Sequence, residues 1–271
     1  MPGYFSILRP SVCFLSAFAI LVGSIVAGTT GFPLLVLYAI IASFLITGAG
    51  NVVNDIFDVE IDKINAPHRP LPAGKISKNT AWLYFAILEI IGLAFAIMIN
   101  ANFLALAIVN SILLFVYSWK LKPVALVGNL IVSFLAASNF IAAGLILFSY
   151  SAIPYAILII SAISFFGTLS RELIKDTADV KGDKEKGAKT LPIMIGEKKT
   201  LGLAYIVLIL TIISLALPVY LSLFTYVYLV GAVPAILLSL YAMKKKPEKS
   251  HKYIKLAMYF VILGFVLGAV F

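Results

Sequence analysis

The chain alternates long apolar stretches with short polar interruptions. A helix needs roughly 20 consecutive apolar residues to cross the hydrocarbon core of a bilayer. Nine stretches meet that length: 11–29, 33–57, 79–99, 102–119, 123–148, 151–174, 200–220, 223–243 and 253–271. The pattern predicts an all-α membrane protein of nine transmembrane helices. The second and sixth stretches run straight into acidic segments, so periodicity leaves those two ends open by several residues. The first stretch is followed by a small-residue Val-Ala-Gly, as a cleaved leader would be. Its length and the spans behind it predict a retained first helix instead.

Composition sharpens this picture. Of 271 residues, 62% are hydrophobic and 12% charged, against about a quarter charged in soluble domains; a soluble protein is excluded. All 21 Lys and Arg residues fall on one side of the predicted spans. Arg9 precedes the first, Lys63 to Lys78 adjoin the loop between the second and third, and Lys120 and Lys122 lie between the fourth and fifth. Eight, from Arg171 to Lys199, adjoin the loop between the sixth and seventh, and six, from Lys244 to Lys255, the loop between the eighth and ninth. The positive-inside rule makes that side cytoplasmic, with the N-terminus inside and the C-terminus outside. The net charge of +9 is therefore a topology signal, with some attraction to anionic lipid, rather than a nucleic-acid footprint. The single cysteine, Cys13, excludes an internal disulfide or a Cys-based metal site and reads as a packing residue.

Eleven of the twelve acids lie on the same cytoplasmic side. Asp55, Asp58 and Asp62 are spaced D-x2-D-x3-D, and Asp176, Asp179 and Asp183 repeat that spacing 121 residues later. Val59 matches Val180, and Leu71-Pro72 has a counterpart in Leu191-Pro192. One domain over 1–271 with an internal pseudo-repeat is expected, its acidic motifs at 51–62 and 172–183. On an α-helix the first three Asp fall within about 60° of one another, with Asn51 in the same sector. Glu172 takes the place of Asn51 in the second motif, where Gly182 weakens the helix and could set Asp183 on a loop.

Clustered carboxylates at a membrane need a reason. An acid at bilayer centre costs about 2.5–3.5 kcal/mol on insertion scales, and crowded like charges repel. Asp55 stands about 33 Å along a helix begun at Pro33, near the interface; position lowers the cost and leaves the repulsion. Two such clusters facing one cavity would suit Mg2+, which is shared between a few carboxylates and substrate phosphates. The surrounding cations fit an anionic ligand. A solvated acid–base loop pair would account for the charge but not for the same spacing twice. A divalent-cation transporter would use facing carboxylates and a pseudo-repeat, but the opposite loops offer no matching exit site. A metal-dependent alcohol phosphotransferase would need Asp-Gly and Ala-Arg elements that both clusters lack.

These residues resemble the UbiA superfamily of intramembrane prenyltransferases. Its signature NDxxDxxxD reads here as Asn54, Asp55, Asp58 and Asp62, and DxxDxxxD as Asp176, Asp179 and Asp183. NDIFDVEIDKINAPHRPLPAGKIS, YSWKLKPVALVGN and RELIKDTADVKGDKEKGAKTLPI are most similar to the archaeal digeranylgeranylglyceryl phosphate synthase branch. The resemblance implies nine helices around a central cavity with a cytoplasmic cap, in the cell membrane. It implies Mg2+-dependent transfer of a geranylgeranyl group from geranylgeranyl diphosphate to a lipid-phosphate acceptor, through ionisation of the allylic diphosphate. Enzymes with aromatic or chlorophyll-like acceptors are the nearest rivals.

On that resemblance Asn54, Asp58, Asp62, Asp179 and Asp183 hold metal, with Asp55 and Asp176 secondary. Arg69 and Lys122 match basic positions beside the diphosphate, and Tyr117 matches a tyrosine near the reacting carbon. Its ring face could stabilise a cation, or it could be an interfacial belt residue. Lys175, Lys181 and Lys189 are further candidates for the diphosphate, and Asn51 is counted with the substrate-binding residues. Arg9, Arg171 and Lys120 are candidates for an acceptor phosphate, chosen as basic groups on the correct side. Glu89, alone in the third span, is a functional candidate by location or a hydrogen-bonded interhelical group.

Overall fold

The computed structural model describes residues 3–185 and 187–271, residue 65 without its side chain. Lys186, one of the eight cations between the sixth and seventh spans, lies outside the described residues. The chain is helical: α1 Gly3–Ile7, α2 Pro10–Val26, α3 Pro33–Asn65, α4 Lys78–Ile97, α5 Ala101–Val116, α6 Val127–Gly144 and α7 Tyr155–Glu185. There follow α8 Leu191–Ile195, α9 Glu197–Ser214, α10 Leu217–Tyr220, α11 Leu229–Met243 and α12 Pro247–Val270. Among the described residues extended pairing is limited to one isolated parallel bridge, between Val124 and Lys189.

Eight of these helical segments are long and apolar enough to cross a membrane, among the described residues. α2, expected to span, is shorter at 17 residues; Gly28, with φ +70°, breaks the chain just beyond it. α4 and α5 expose Ile87, Ile90, Ile91, Ile108 and Ile112, faces that hydrocarbon solvates and water does not. The protein is a multi-pass membrane protein.

The two open helix ends resolve in the same way. α3 continues beyond 57 to Asn65 and α7 beyond 174 to Glu185, so each carries its acidic motif as a direct extension of a span. α7 passes through Gly182, which places Asp183 on helix rather than loop. One glycine costs about 1 kcal/mol in a helix, too little to end a helix of 31 residues.

The chain divides into two compact units. The first comprises Met1–Ser24, Thr29–Lys120 and Ala142–Ile153. Within it α3 packs on α4, and both pack on α5. Its core gathers Ile7, Leu8, Cys13, Val52, Ile56 and Leu88. Asn100 caps α5 by accepting from the Phe103 amide at 2.9 Å and donates to the Leu145 carbonyl at 2.7 Å. Glu89 on α4 accepts a hydrogen bond from Ser111 on α5 at 2.8 Å.

The second unit comprises Ile25–Gly28, Leu121–Ile141 and Pro154–Phe271. α7 packs on α9 and α12, and α11 lies along α12. Small residues set that last spacing: a Cβ on Gly231 would stand 2.3 Å from the Phe260 carbonyl oxygen. Such close backbone approach drives helix association in lipid, where apolar transfer contributes little. Tyr228 is fully buried, stacks on Phe265 and donates its hydroxyl to the Leu215 carbonyl at 3.0 Å.

Candidate functional site

In the first unit the acidic end of α3 meets two arginines. Pro10 opens α2 and keeps the residue before it out of the right-handed helical region. Arg9 sits there with φ +51°, a conformation that costs a side-chain-bearing residue on the order of 1 kcal/mol. The bend is held from two helices: Asn51 Nδ2 of α3 donates to the Leu8 carbonyl at 2.7 Å, and Cys13 Sγ of α2 donates to the same oxygen at 3.1 Å. Arg9 pairs through its guanidinium with Asp55. The packing role expected of Cys13 thus includes locking this bend.

Arg69 arrives from the loop after α3. Its position follows from a tight run of turns: the Arg69 amide donates to Ala66, Ala73 to Arg69 and Gly74 to Leu71. Gly74 supplies the φ of +69° the turn requires. Ser77 then caps α4 by accepting from the Thr80 amide at 3.1 Å. Arg69 Nη1 lies 2.5 Å from Asp62 Oδ2 and 3.6 Å from Asp55 Oδ1. Asp55 and Asp62 are buried, while both arginines remain about one-third exposed. On the adjoining edge of α3, Asn54 Nδ2 donates to Asp58 Oδ2 at 3.0 Å. Tyr117 and Lys120 lie on the π-helical turn Tyr117–Leu121 that closes α5, where the Lys120 ammonium rests 4.0 Å over the Trp119 ring.

In the second unit α7 presents the second motif. Asp176 accepts from Asn129 Nδ2 of α6 at 2.8 Å. Lys175 reaches Asp179 at 3.3 Å, one turn along the helix, with Asp179 half exposed. Arg171 pairs with its neighbour Glu172, the counterpart of Asn51. Lys181 is exposed. Lys189 is tied by its backbone, its amide donating to the Pro123 carbonyl at 3.0 Å. That contact brings the segment holding Lys122 beside the segment that opens α8.

The structure therefore joins Arg9, Asn51, Asp55, Asp62 and Arg69 in one network, Asn54 with Asp58 beside it, and Lys175 with Asp179. Sequence reasoning missed Asn129, buried against Asp176. Its signal was available: a lone amide opening an apolar span on the side that carries the acids. The pairing itself, across 47 residues, has no local signature. In both units the leading acid of the motif is met by donors from elsewhere in the chain.

The ligand chemistry suits a hard cation, since every candidate is an oxygen donor. Among the described residues no three His, Cys, Asp or Glu side chains are grouped to hold an ion by themselves. Mg2+ does not require that; it takes one or two carboxylates and fills its shell with phosphate oxygens and water. Asn54 with Asp58, and the half-exposed Asp179, fit that sparing kind of site. Asp55 and Asp62 are engaged by guanidinium groups.

Comparison with known proteins places this geometry in context. The UbiA prenyltransferase family matches residues 16–264. A digeranylgeranylglyceryl phosphate synthase of Methanosphaera stadtmanae is 35% identical, over 99% of this chain and all of the relative. A solved structure from work on the biosynthesis of digeranylgeranylglyceryl phosphate synthase in membranes superposes with a TM-score of 0.84. It is 34% identical and covers 99% of this chain and 98% of that one. A UbiA homologue from Archaeoglobus fulgidus bound to GPP and Mg2+ shares the fold, with a TM-score of 0.66 and 21% identity, covering 99% of this chain and all of that one.

Proposed function

The chain belongs to the UbiA prenyltransferase family, and from that premise we propose that it transfers a geranylgeranyl group from geranylgeranyl diphosphate to the glycerol hydroxyl of geranylgeranylglyceryl phosphate. The end-to-end likeness to proteins named digeranylgeranylglyceryl phosphate synthase carries this reading.

The reaction separates a diphosphate anion from an allylic cation, so its barrier is electrostatic. Fixed cations aimed at the leaving group stabilise charge as it develops. Arg69, Lys122, Lys175, Lys181 and Lys189 serve that purpose, and the Tyr117 ring face stabilises the allylic cation. The acceptor hydroxyl then captures the cation and releases its proton. Asn54, Asp58, Asp62, Asp179 and Asp183 would hold Mg2+, with Asp55 and Asp176 behind them. When bound, Mg2+ supplies charge neutralisation on the diphosphate. A solved UbiA homologue bound to GPP and Mg2+ supports the use of Mg2+ with a prenyl diphosphate. Lys120 and Arg171, like Arg9, serve the acceptor phosphate, and Asn51 supports the substrate site.

The chain is read as a single prenyltransferase domain over 1–271, with nine spans, α2 included, around a central cavity. The site faces the cytoplasm, as the one-sided distribution of Lys and Arg supports. The loops after α3 and α7 cap it and exclude water that would otherwise quench the cation. Incubating purified protein with Mg2+, labelled geranylgeranyl diphosphate and a panel of acceptors tests the reading. Label on geranylgeranylglyceryl phosphate is expected; label on an aromatic acid, or divalent-cation flux in liposomes with no transfer, would overturn it.

A further inference from the structure

We infer that Asn129, the buried amide near the start of α6, is a positioning residue for the second motif: it fixes the Asp176 carboxylate in the orientation in which that carboxylate ligates Mg2+. The inference rests on the proposed reaction and deepens it, giving a role to a residue outside both motifs. Asn129 is 8% exposed, and its Nδ2 donates to Asp176 Oδ2 at 2.8 Å. α7 takes its close packing mainly from α9 and α12, so this bond is not a by-product of a tight interface with α6. Asp176, Asp179 and Asp183 fall within about 60° of one another on α7, and like charges so placed repel. A carboxylate in that company turns away unless a donor fixes it. An amide fixes it without neutralising it, unlike the guanidinium groups that meet Asp55 in the first unit. One N–H takes one of the roughly four lone-pair sites of a carboxylate, and the others stay available to a cation. Carboxylates that ligate metals are themselves held by hydrogen bonds in this way.

The backbone before α6 supports the same reading. Leu126 has φ +63°, and across it the Val127 amide donates to the Ala125 carbonyl at 2.7 Å. Three-residue turns with positive φ at the centre are rare and strained. Such strain persists only where the surroundings over-determine it, and it gathers at functional sites. Here the turn is fastened twice. The Leu126 side chain packs against a core that includes Leu173 and Ile174 of α7, and the Lys189 amide, beyond α7, holds the Pro123 carbonyl at 3.0 Å. Both fastenings register the start of α6 against the segment that bears the second motif. Asn129 follows the turn directly and therefore meets Asp176 at a set height.

The test compares wild type, Asn129→Ala, Asn129→Gln, Asp176→Ala and the double variant carrying Asn129→Ala with Asp176→Ala, each purified in detergent. Two quantities are read. One is the Mg2+ concentration for half-maximal transfer. The other is the Kd of Mn2+, a stand-in of the same charge, bound in the presence of inorganic diphosphate and followed by electron paramagnetic resonance. Asn129→Ala is expected to raise both about tenfold to a hundredfold, while kcat at saturating Mg2+ stays within about threefold of wild type. Asn129→Gln keeps the amide on a longer stem and should recover part of the loss. Because Asn129 acts through Asp176, the double variant should bind Mn2+ no more weakly than Asp176→Ala alone. Both quantities within about twofold of wild type in Asn129→Ala would overturn the inference, as would losses that add in the double variant. A lowered melting temperature with kcat lost at every Mg2+ concentration would overturn it too, as the mark of a purely structural amide. If Asn129→Ala does not fold, Asn129→Ser, whose hydroxyl is too short to reach Asp176, decides by the same two quantities. The Mn2+ measurement needs no turnover. Wild-type protein that binds Mn2+ with diphosphate but transfers no prenyl group would therefore overturn the reaction, while the Kd of Asn129→Ala would still decide the role of Asn129.

Discussion

Asp58 and Asp179 occupy the same place in the two motifs. Asp58 accepts from the Asn54 amide at 3.0 Å and Asp179 pairs with Lys175 at 3.3 Å, and both are proposed above to hold Mg2+. Asp58→Ala or Asp179→Ala is expected to lower turnover by about a hundredfold or more, with thermal stability nearly unchanged. Both side chains are at least partly exposed, so truncation leaves no buried orphan. Steady-state transfer and a thermal melt in detergent check the pair of outcomes; full activity in either variant would remove that residue from the site.

The elements are set by how closely backbones approach. A Cβ on Gly231 would meet the Phe260 carbonyl oxygen at 2.3 Å and the Gly264 nitrogen at 2.4 Å, both backbone atoms of α12 that cannot rotate away. Gly231→Ala should destabilise the second unit by about 1–3 kcal/mol through overpacking. Gly202, inside α9, has open space where its Cβ would go, so Gly202→Ala should be neutral or stabilise by up to about 1 kcal/mol. Melting temperatures of the two variants, measured side by side in the same detergent, should move in opposite directions or leave only Gly231→Ala shifted. Apolar periodicity located both helices and is silent on this distinction, because it records what a face avoids and not how near its neighbour comes.

For the whole molecule, orientation and metal dependence are the properties open to test. Cys13 is buried, so engineered cysteines can be read against a low background. Ser149→Cys, in the loop between α6 and α7, should react with a membrane-impermeant maleimide added outside intact cells. Lys198→Cys, on the side that carries the cations, should react only after permeabilisation; the reverse pattern would invert the topology. Chelation of divalent metal is expected to abolish transfer and Mg2+ to restore it, measured with purified protein and labelled diphosphate. Activity that survives chelation would remove the metal from the mechanism.

Hydrophobic length and the placement of Lys and Arg were enough to predict an all-α membrane protein, because the bilayer imposes those constraints on local sequence directly. The spacing of Asp55, Asp58 and Asp62, and of its copy on α7, was legible because helical periodicity turns a spacing into a face. Which partners cover those acids was not legible. Arg9 reaches Asp55 across 46 residues and Asn129 reaches Asp176 across 47, contacts that depend on how helices pack. The length of α2 and the passage of α7 through Gly182 also depended on the folded chain. In each case local propensity was weak, about 1 kcal/mol, and packing against neighbouring helices decided the outcome.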